Sequence, residues 1–274
     1  MADAAGFSLR GQVAIVTGAA GLLGREHCYA LAAAGATVVA TDVDLAGCER
    51  VAAGLRDETT APVHAIATDL TEPESVLALR DRVLAACGRI DVLVNNAAIN
   101  DKFDEGEAAA QSRFEAYALE RFRRSLDVNV TGVFLSSQIL GAEMAKRGAG
   151  SIINIASTYG MVGPDQRIYR RPDGTQAFWK SAAYPASKGA ILAFTRFLAT
   201  YWADQGVRVN SLSPGGVAQD SQEPHFVAQY AARTPLGRMA APHELRGAIV
   251  FLASGASSYV TGSNLVVDGG WTAW

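Results

Sequence analysis

Short apolar runs alternate with helix-length segments along almost the whole chain, and this alternation constrains the fold more than any single motif. QVAIVT (12–17), ATVVAT (36–41), residues 63–68, IDVLVN (90–95), SIINIA (151–156), residues 207–212 and NLVVD (264–268) read as strands. Helices are expected between and around them at 22–34, 45–56, 73–87, 112–147, 183–204 and 244–253. The strands are nearly continuous in apolar residues, the pattern of a parallel sheet covered on both faces. Right-handed crossovers then give an α/β fold, a Rossmann-type doubly wound sheet of about seven parallel strands with helices on both faces. No Pro/Gly/Ser-rich linker or repeat divides the chain, so one domain is expected over 1–274, with two irregular stretches, 100–111 and 160–182, set into it.

Composition narrows the chemistry. Of 274 residues, 49% are hydrophobic and 19% charged, enough apolar material for a large core and too little charge for disorder. With 24 Lys and Arg against 27 Asp and Glu, the net charge of −3 offers no general attraction to nucleic acid or to an anionic membrane. Cys28, Cys48 and Cys87 are far apart and form no CxxC, which argues against a disulfide framework and a Cys-rich zinc site. His27, His64, His225 and His243 have no metal-ligand spacing, so no metal is expected and these histidines read as surface or capping residues. No apolar run approaches the roughly 20 residues of a membrane span, and MADAAGFSLRG lacks a signal-type stretch. The expectation is a cytoplasmic protein acting on a small molecule.

Three motifs carry the functional reading. Gly18, Gly21 and Gly24 lie between the first strand and the first helix, where glycines let the backbone approach a pyrophosphate and a helix N-terminus offers free N–H groups. Asp42 ends the second strand, 24 residues after Gly18. A carboxylate there accepts hydrogen bonds from both ribose hydroxyls of NAD and repels the 2′-phosphate of NADP. The competing role, capping the next helix, falls equally well to Asp44. No Arg or Lys stands at 19–23 or at Val43 to hold a 2′-phosphate, so NAD is the expected cofactor. Tyr184 and Lys188 are four residues apart and share a helix face. A nearby ammonium favours a phenolate, which makes Tyr184 a candidate general acid/base.

With Asp69-Leu70, Asn95-Asn96-Ala97-Ala98, Asn129 in LDVNVTGVF, Ser157 after SIINIA, and Ser213-Pro214-Gly215-Gly216, these motifs resemble the short-chain dehydrogenase/reductase family, in its shorter Tyr-x-x-x-Lys branch, over almost the whole length. The resemblance implies an Asn129-Ser157-Tyr184-Lys188 active site for hydride transfer between a nicotinamide and a secondary alcohol or ketone. Tyr184 would transfer the proton and Ser157 would hold the substrate oxygen. Lys188 would bind the nicotinamide ribose, and Asn129 would anchor a water. The cofactor would lie along Gly18, Gly21, Leu22, Leu23, Gly24, Asp42, Val43, Asp69, Leu70, Asn95, Ala97, Pro214, Gly215 and Val217. The resemblance also implies a homotetramer through helices 112–147 and 183–204. Phe194, Phe197 and Leu198 fit that contact, and Trp271 and Trp274 are expected to be buried between subunits. Trp179, Tyr201 and Trp202 read as packing residues.

The chain departs from the family pattern in places. Leu22 stands where the common branch has its middle glycine, and Ser213 replaces an Asn. Ser157 and Tyr184 are 27 positions apart, about twice the family's common spacing. The inserted stretch carries Arg167, Arg170, Arg171 and Lys180, and Arg167 and Arg170 are the candidates for binding an anionic substrate group. A narrower resemblance, on residues 163–169, 199–203 and 268–271, is to bacterial surface-sugar and flagellin-modification oxidoreductases, which implies a sugar or sugar derivative. Two alternatives remain: a 3-oxoacyl thioester reductase, which commonly prefers NADP, and a non-catalytic NAD-binding regulator or scaffold, which predicts loss of the Tyr or the Lys.

Overall fold

The computed structural model describes residues 6–101, 103 and 106–274. Seven parallel strands form one sheet in the order β3-β2-β1-β4-β5-β6-β7. They are β1 Val13–Thr17, β2 Thr37–Asp42, β3 Val63–Ala67, β4 Val92–Asn95, β5 Gly150–Ile155, β6 Val207–Pro214 and β7 Asn264–Val267. β1 shows why the apolar runs had to be continuous. All five of its residues are buried, Ala14 and Val16 against one helical layer and Val13 and Ile15 against the other. The first layer holds α1 (Leu22–Ala33), α2 (Leu45–Glu58) and α9 (Arg246–Ala253), with Cys28, Leu31, Leu55 and Ile249 in its core. The second holds α3 (Pro73–Cys87), α6 (Gly132–Arg147) and α7 (Ala183–Tyr201), with Leu79, Val83, Leu140, Met144 and Leu198.

Local chemistry sets several boundaries where the sequence places them. Pro73 opens α3 and Gly88, at φ +69°, closes it. Asp44 caps α2 by accepting from the Gly47 N–H at 2.9 Å, which leaves Asp42 free of that duty.

Other boundaries differ from expectation. The single helix expected at 112–147 is interrupted. A four-residue turn α4 (Ala108–Gln111) and a 3-10 turn Phe114–Ala116 precede extended backbone at Tyr117 and Ala118. Then come α5 (Leu119–Leu126), a π turn at Asp127–Thr131 and α6. The helix expected to reach 204 stops at Tyr201, because Trp202 turns into the core against Gly141, where a Cβ would stand 2.7 Å from its ring. α8 (Pro224–Ala231) was not expected, although Glu223 caps it through the N–H groups of His225 and Phe226, and Pro224 starts it. His27 is neither a surface nor a capping residue. It is wholly buried with both ring nitrogens unpartnered, and burial holds it neutral, its pKa lowered to about 3. Trp271 is buried within its own chain, stacked on Tyr230 at 4.1 Å between ring centroids, while Trp274 is exposed. No helix among the described residues is long and apolar enough to cross a membrane.

Because every strand runs the same way, the segments after β1, β4, β5 and β6 emerge at one edge, bringing Gly18, Asn96, Ser157 and Gly215 together.

Candidate active site

The turn after β1 is built for close approach. Gly18 has φ +63°, and a Cβ on it would stand 2.6 Å from the Ala97 backbone. A Cβ on Gly24 would collide with the Gly18 carbonyl oxygen, so Gly24 lets α1 pack onto the turn. Asn96 locks this arrangement by donating from Nδ2 to the carbonyl oxygens of Thr17 at 2.9 Å and Gly18 at 3.1 Å. Gly21 is the N-cap of α1 and supplies no side-chain cap, so the N–H groups of the first helical turn remain available to an anion.

Two cavities flank the N-terminal end of α1. One, of about 540 Å³, is lined by Gly18, Gly21, Asp42, Val43, Asp69, Leu70, Ala97 and Arg124 among others. The other, of about 510 Å³, holds Ser157, Tyr184, Lys188, Pro214, Gly215 and Val217. They share Leu22, Leu23, Asn96, Ala98 and Ile99, so an extended molecule can run from one to the other past the glycine turn. At the lip of the first, the Asp42 carboxylate accepts from the Ala20 N–H at 3.2 Å and the Asp44 N–H at 3.1 Å, which fixes its orientation. Asp69 accepts from the Thr71 N–H and hydroxyl. These features fit a dinucleotide: a close-approach glycine turn, an uncapped helix N-terminus and a carboxylate at the end of β2.

Asn95 is placed differently from the other expected cofactor residues. Its side chain turns into the sheet, donating to Ser137 and Asn154 and accepting from Ser136, and it is Asn96 that lines both cavities. A period-two strand sends neighbouring residues to opposite faces, so the position of the motif did not decide which of the pair would face the ligand.

In the second cavity, Ser157 follows β5, and Tyr184 and Lys188 face it from the first turns of α7. Lys188 is 4% exposed. Its Nζ donates to the Ile155 carbonyl oxygen at 2.7 Å and stands 5.9 Å from the centroid of the Tyr184 ring. Burial, and then repulsion from Lys180, lower its pKa to about 8. Burial pushes the Tyr184 phenol above its ordinary value, and a hydrogen bond with Ser157 opposes the rise. The lowering expected from Lys188 does not prevail, because desolvating a phenolate outweighs a cation this far from the ring. Asn129, in the π turn, is buried away from this cavity and holds Ile99 and Ser187 instead. The arrangement can hold a hydroxyl or carbonyl oxygen between Ser157 and Tyr184 and move a proton at the phenol oxygen.

The two irregular stretches meet beside the cavity. The Trp179 N–H donates to Ser112 Oγ at 2.7 Å and Lys180 Nζ to Asn100 Oδ1 at 3.0 Å. Tyr169 and Phe178 from the longer stretch, with Phe226 and Tyr230, form an aromatic wall. Arg167 and Arg170 are exposed and do not line either cavity. Arg167 is held by Asp165 through two bonds of 2.9 and 3.0 Å. The cation of the inserted stretch that does line the cavity, beside Lys188 of α7, is Lys180, which the sequence marks only as one of the stretch's four positive charges.

Comparison with known proteins agrees with this geometry. A family profile described as "short chain dehydrogenase" matches residues 12–169, and one described as "Enoyl-(Acyl carrier protein) reductase" matches 173–272. The chain is 37% identical over 273 residues to galactitol 2-dehydrogenase (L-tagatose-forming) of Cereibacter sphaeroides, covering 98% of each protein. It is 36% identical to D-threitol dehydrogenase of Mycolicibacterium smegmatis, covering 97% of this chain and 95% of that protein. A solved structure of a gluconate 5-dehydrogenase from Burkholderia cenocepacia J2315, in complex with NADP and tartrate, superposes with a TM-score of 0.84 at 33% identity, covering 98% of each chain. The chain therefore belongs to the short-chain dehydrogenase/reductase family and is an NAD(P)-dependent oxidoreductase of secondary alcohols.

Proposed function

We infer that the protein prefers NAD and oxidises a secondary hydroxyl of a small polyhydroxylated molecule to a ketone, with Tyr184 as the base. The observation that carries this reading is the continuity of the two cavities: Asp42 stands in one and the Ser157-Tyr184-Lys188 set in the other, joined past the glycine turn. An oxidised nicotinamide held along the glycine turn, Asp42 and Lys188 would accept the hydride. Ser157 Oγ and the Tyr184 hydroxyl hold the substrate oxygen, Tyr184 takes its proton, and the Lys188 ammonium stabilises the phenolate while that proton is absent. Both Nδ2 hydrogens of Asn129 are spent on the Ile99 carbonyl and Ser187, so a water ordered by Asn129 would be held at one of its oxygens rather than at Nδ2. The substrate class follows the galactitol and threitol dehydrogenases among its relatives.

Asp42 supports NAD over NADP through repulsion of a 2′-phosphate. Titrating both cofactors into wild type and D42A tests this: wild type favours NAD, and D42A narrows the gap. Equal affinities in wild type defeat the assignment. Assembly as a homotetramer is supported by an exposed aromatic ladder on α6 and α7, where Phe134, Phe197 and Tyr201 are 44%, 58% and 60% exposed and Phe197 stacks on both Phe194 and Tyr201. Sedimentation at micromolar concentration that shows only monomer refutes it. The activity itself is tested by nicotinamide absorbance with galactitol, threitol and gluconate; a protein that reduces neither cofactor with any secondary alcohol overturns the reading.

A further inference from the structure

We propose that Lys180 binds a carboxylate of the substrate, so that the preferred alcohol is a hydroxy acid whose reacting carbon lies a few bonds from that carboxylate. This rests on the cavity being the site of alcohol oxidation and names the substrate class it takes.

Lys180 is nearer to the Tyr184 ring than Lys188, the other lysine that lines the cavity. Its Nζ lies over the Tyr184 ring, 4.0 Å from the centroid, against 5.9 Å for Lys188. A carboxylate paired there reaches an oxygen held by Tyr184 only if few bonds separate the two. The position is also pre-organised. One side chain, Gln166, grips the Lys180 backbone on both sides, accepting from its N–H at 2.8 Å and donating to its carbonyl at 3.2 Å. The preceding residue is tied to Ser112.

The charge balance points the same way. Among the described residues, those lining the cavity include two lysines and no Asp or Glu, and Lys180 forms no ion pair. One of its three donors goes to Asn100, leaving two for a ligand. Burial lowers its pKa to about 8 against an opposing attraction to Asp101, which does not line the cavity, and its charge in turn helps to lower that of Lys188. Asp101 offsets the burial of Lys180 only in part, so two ammonium groups on one phenol ring are improved by an anion that joins them inside the cavity. The arginines of the same stretch are not placed to serve: Arg167 is committed to Asp165.

The test compares tartrate with threitol, which has the same carbon skeleton and diol but CH₂OH in place of each carboxylate. Each is titrated into the NADH-loaded enzyme, where an alcohol forms a dead-end complex, and binding is read by NADH fluorescence. Wild type is expected to favour tartrate, and K180M to lower the tartrate-to-threitol affinity ratio by about tenfold or more, the worth of a charge-assisted hydrogen bond. K180R keeps most of the ratio. K180Q, which retains polarity without charge, shows the same loss as K180M and replaces it if K180M does not fold. A wild type indifferent to the carboxylates, or a K180M that keeps the ratio, overturns the proposal. Its failure is distinct from failure of the dehydrogenase reading, which is decided by nicotinamide turnover with alcohols.

Discussion

Asn129 and Ile99 exchange two hydrogen bonds: the Ile99 N–H donates to Asn129 Oδ1 at 2.8 Å, and Asn129 Nδ2 donates to the Ile99 carbonyl at 3.0 Å. The pair fastens the π turn to the segment that follows β4, and Ile99 lines both cavities. π turns recur at functional sites because they re-aim a side chain within a helix. N129A leaves a half-buried N–H and carbonyl unpaired. The expected cost is about 1–3 kcal/mol of stability, together with weaker cofactor binding. Thermal unfolding and NADH titration check it; an unchanged melting temperature refutes it.

Tyr184 is the proposed proton carrier, and Y184F keeps the ring while removing the hydroxyl. The expected result is a fall in kcat on the order of 10²-fold or more, with NADH affinity little changed. Substantial turnover in Y184F would put the acid/base elsewhere.

The buried Lys188 ammonium makes stability depend on pH. Its pKa falls from an ordinary 10.5 in the unfolded chain to about 8 in the fold. Below pH 8 it is charged in both states, and the fold carries the full cost of burying the charge. Between pH 8 and 10.5 it is neutral when folded and charged when unfolded, so unfolding takes up a proton and this contribution to stability rises with pH. K188M lacks that contribution. The melting temperature of K188M minus that of wild type should therefore be most positive below pH 8 and decline toward pH 10.5. A difference that is flat with pH contradicts the assignment.

Asp165 separates a structural arginine from a dispensable one. It accepts from exposed Arg167 and, at 2.9 Å, from Arg233, which follows α8, and its carboxyl is held down to about 2, chiefly by Arg167. Surface pairs between near neighbours in sequence contribute little, whereas Arg233 joins the inserted stretch to a different element. R233A should lower the melting temperature more than R167A, and R167A should leave KM unchanged within about twofold. A large rise in KM for R167A would restore it as a substrate ligand.

Much of this protein is legible in short-range patterns. The buried runs of β1 and β5 specify strands covered on both faces, Pro73 and Gly88 mark the ends of α3, and Tyr184 and Lys188 share a face because they are four residues apart on a helix. A parallel sheet then delivers Ser157, Gly215 and the glycine turn to one edge. What the tertiary structure decided depends on neighbours distant in the chain. The π turn at Asp127–Thr131 coincides with Asn129 finding its partner at Ile99, and Asn95 turned inward because Ser136, Ser137 and Asn154 satisfy its amide there. The Tyr184 phenol rises where a helical Tyr/Lys pair suggested a fall, because burial adds up over everything packed around the ring. The cation over that ring is Lys180, put there by hydrogen bonds from Gln166 across an inserted stretch whose path no local periodicity encodes.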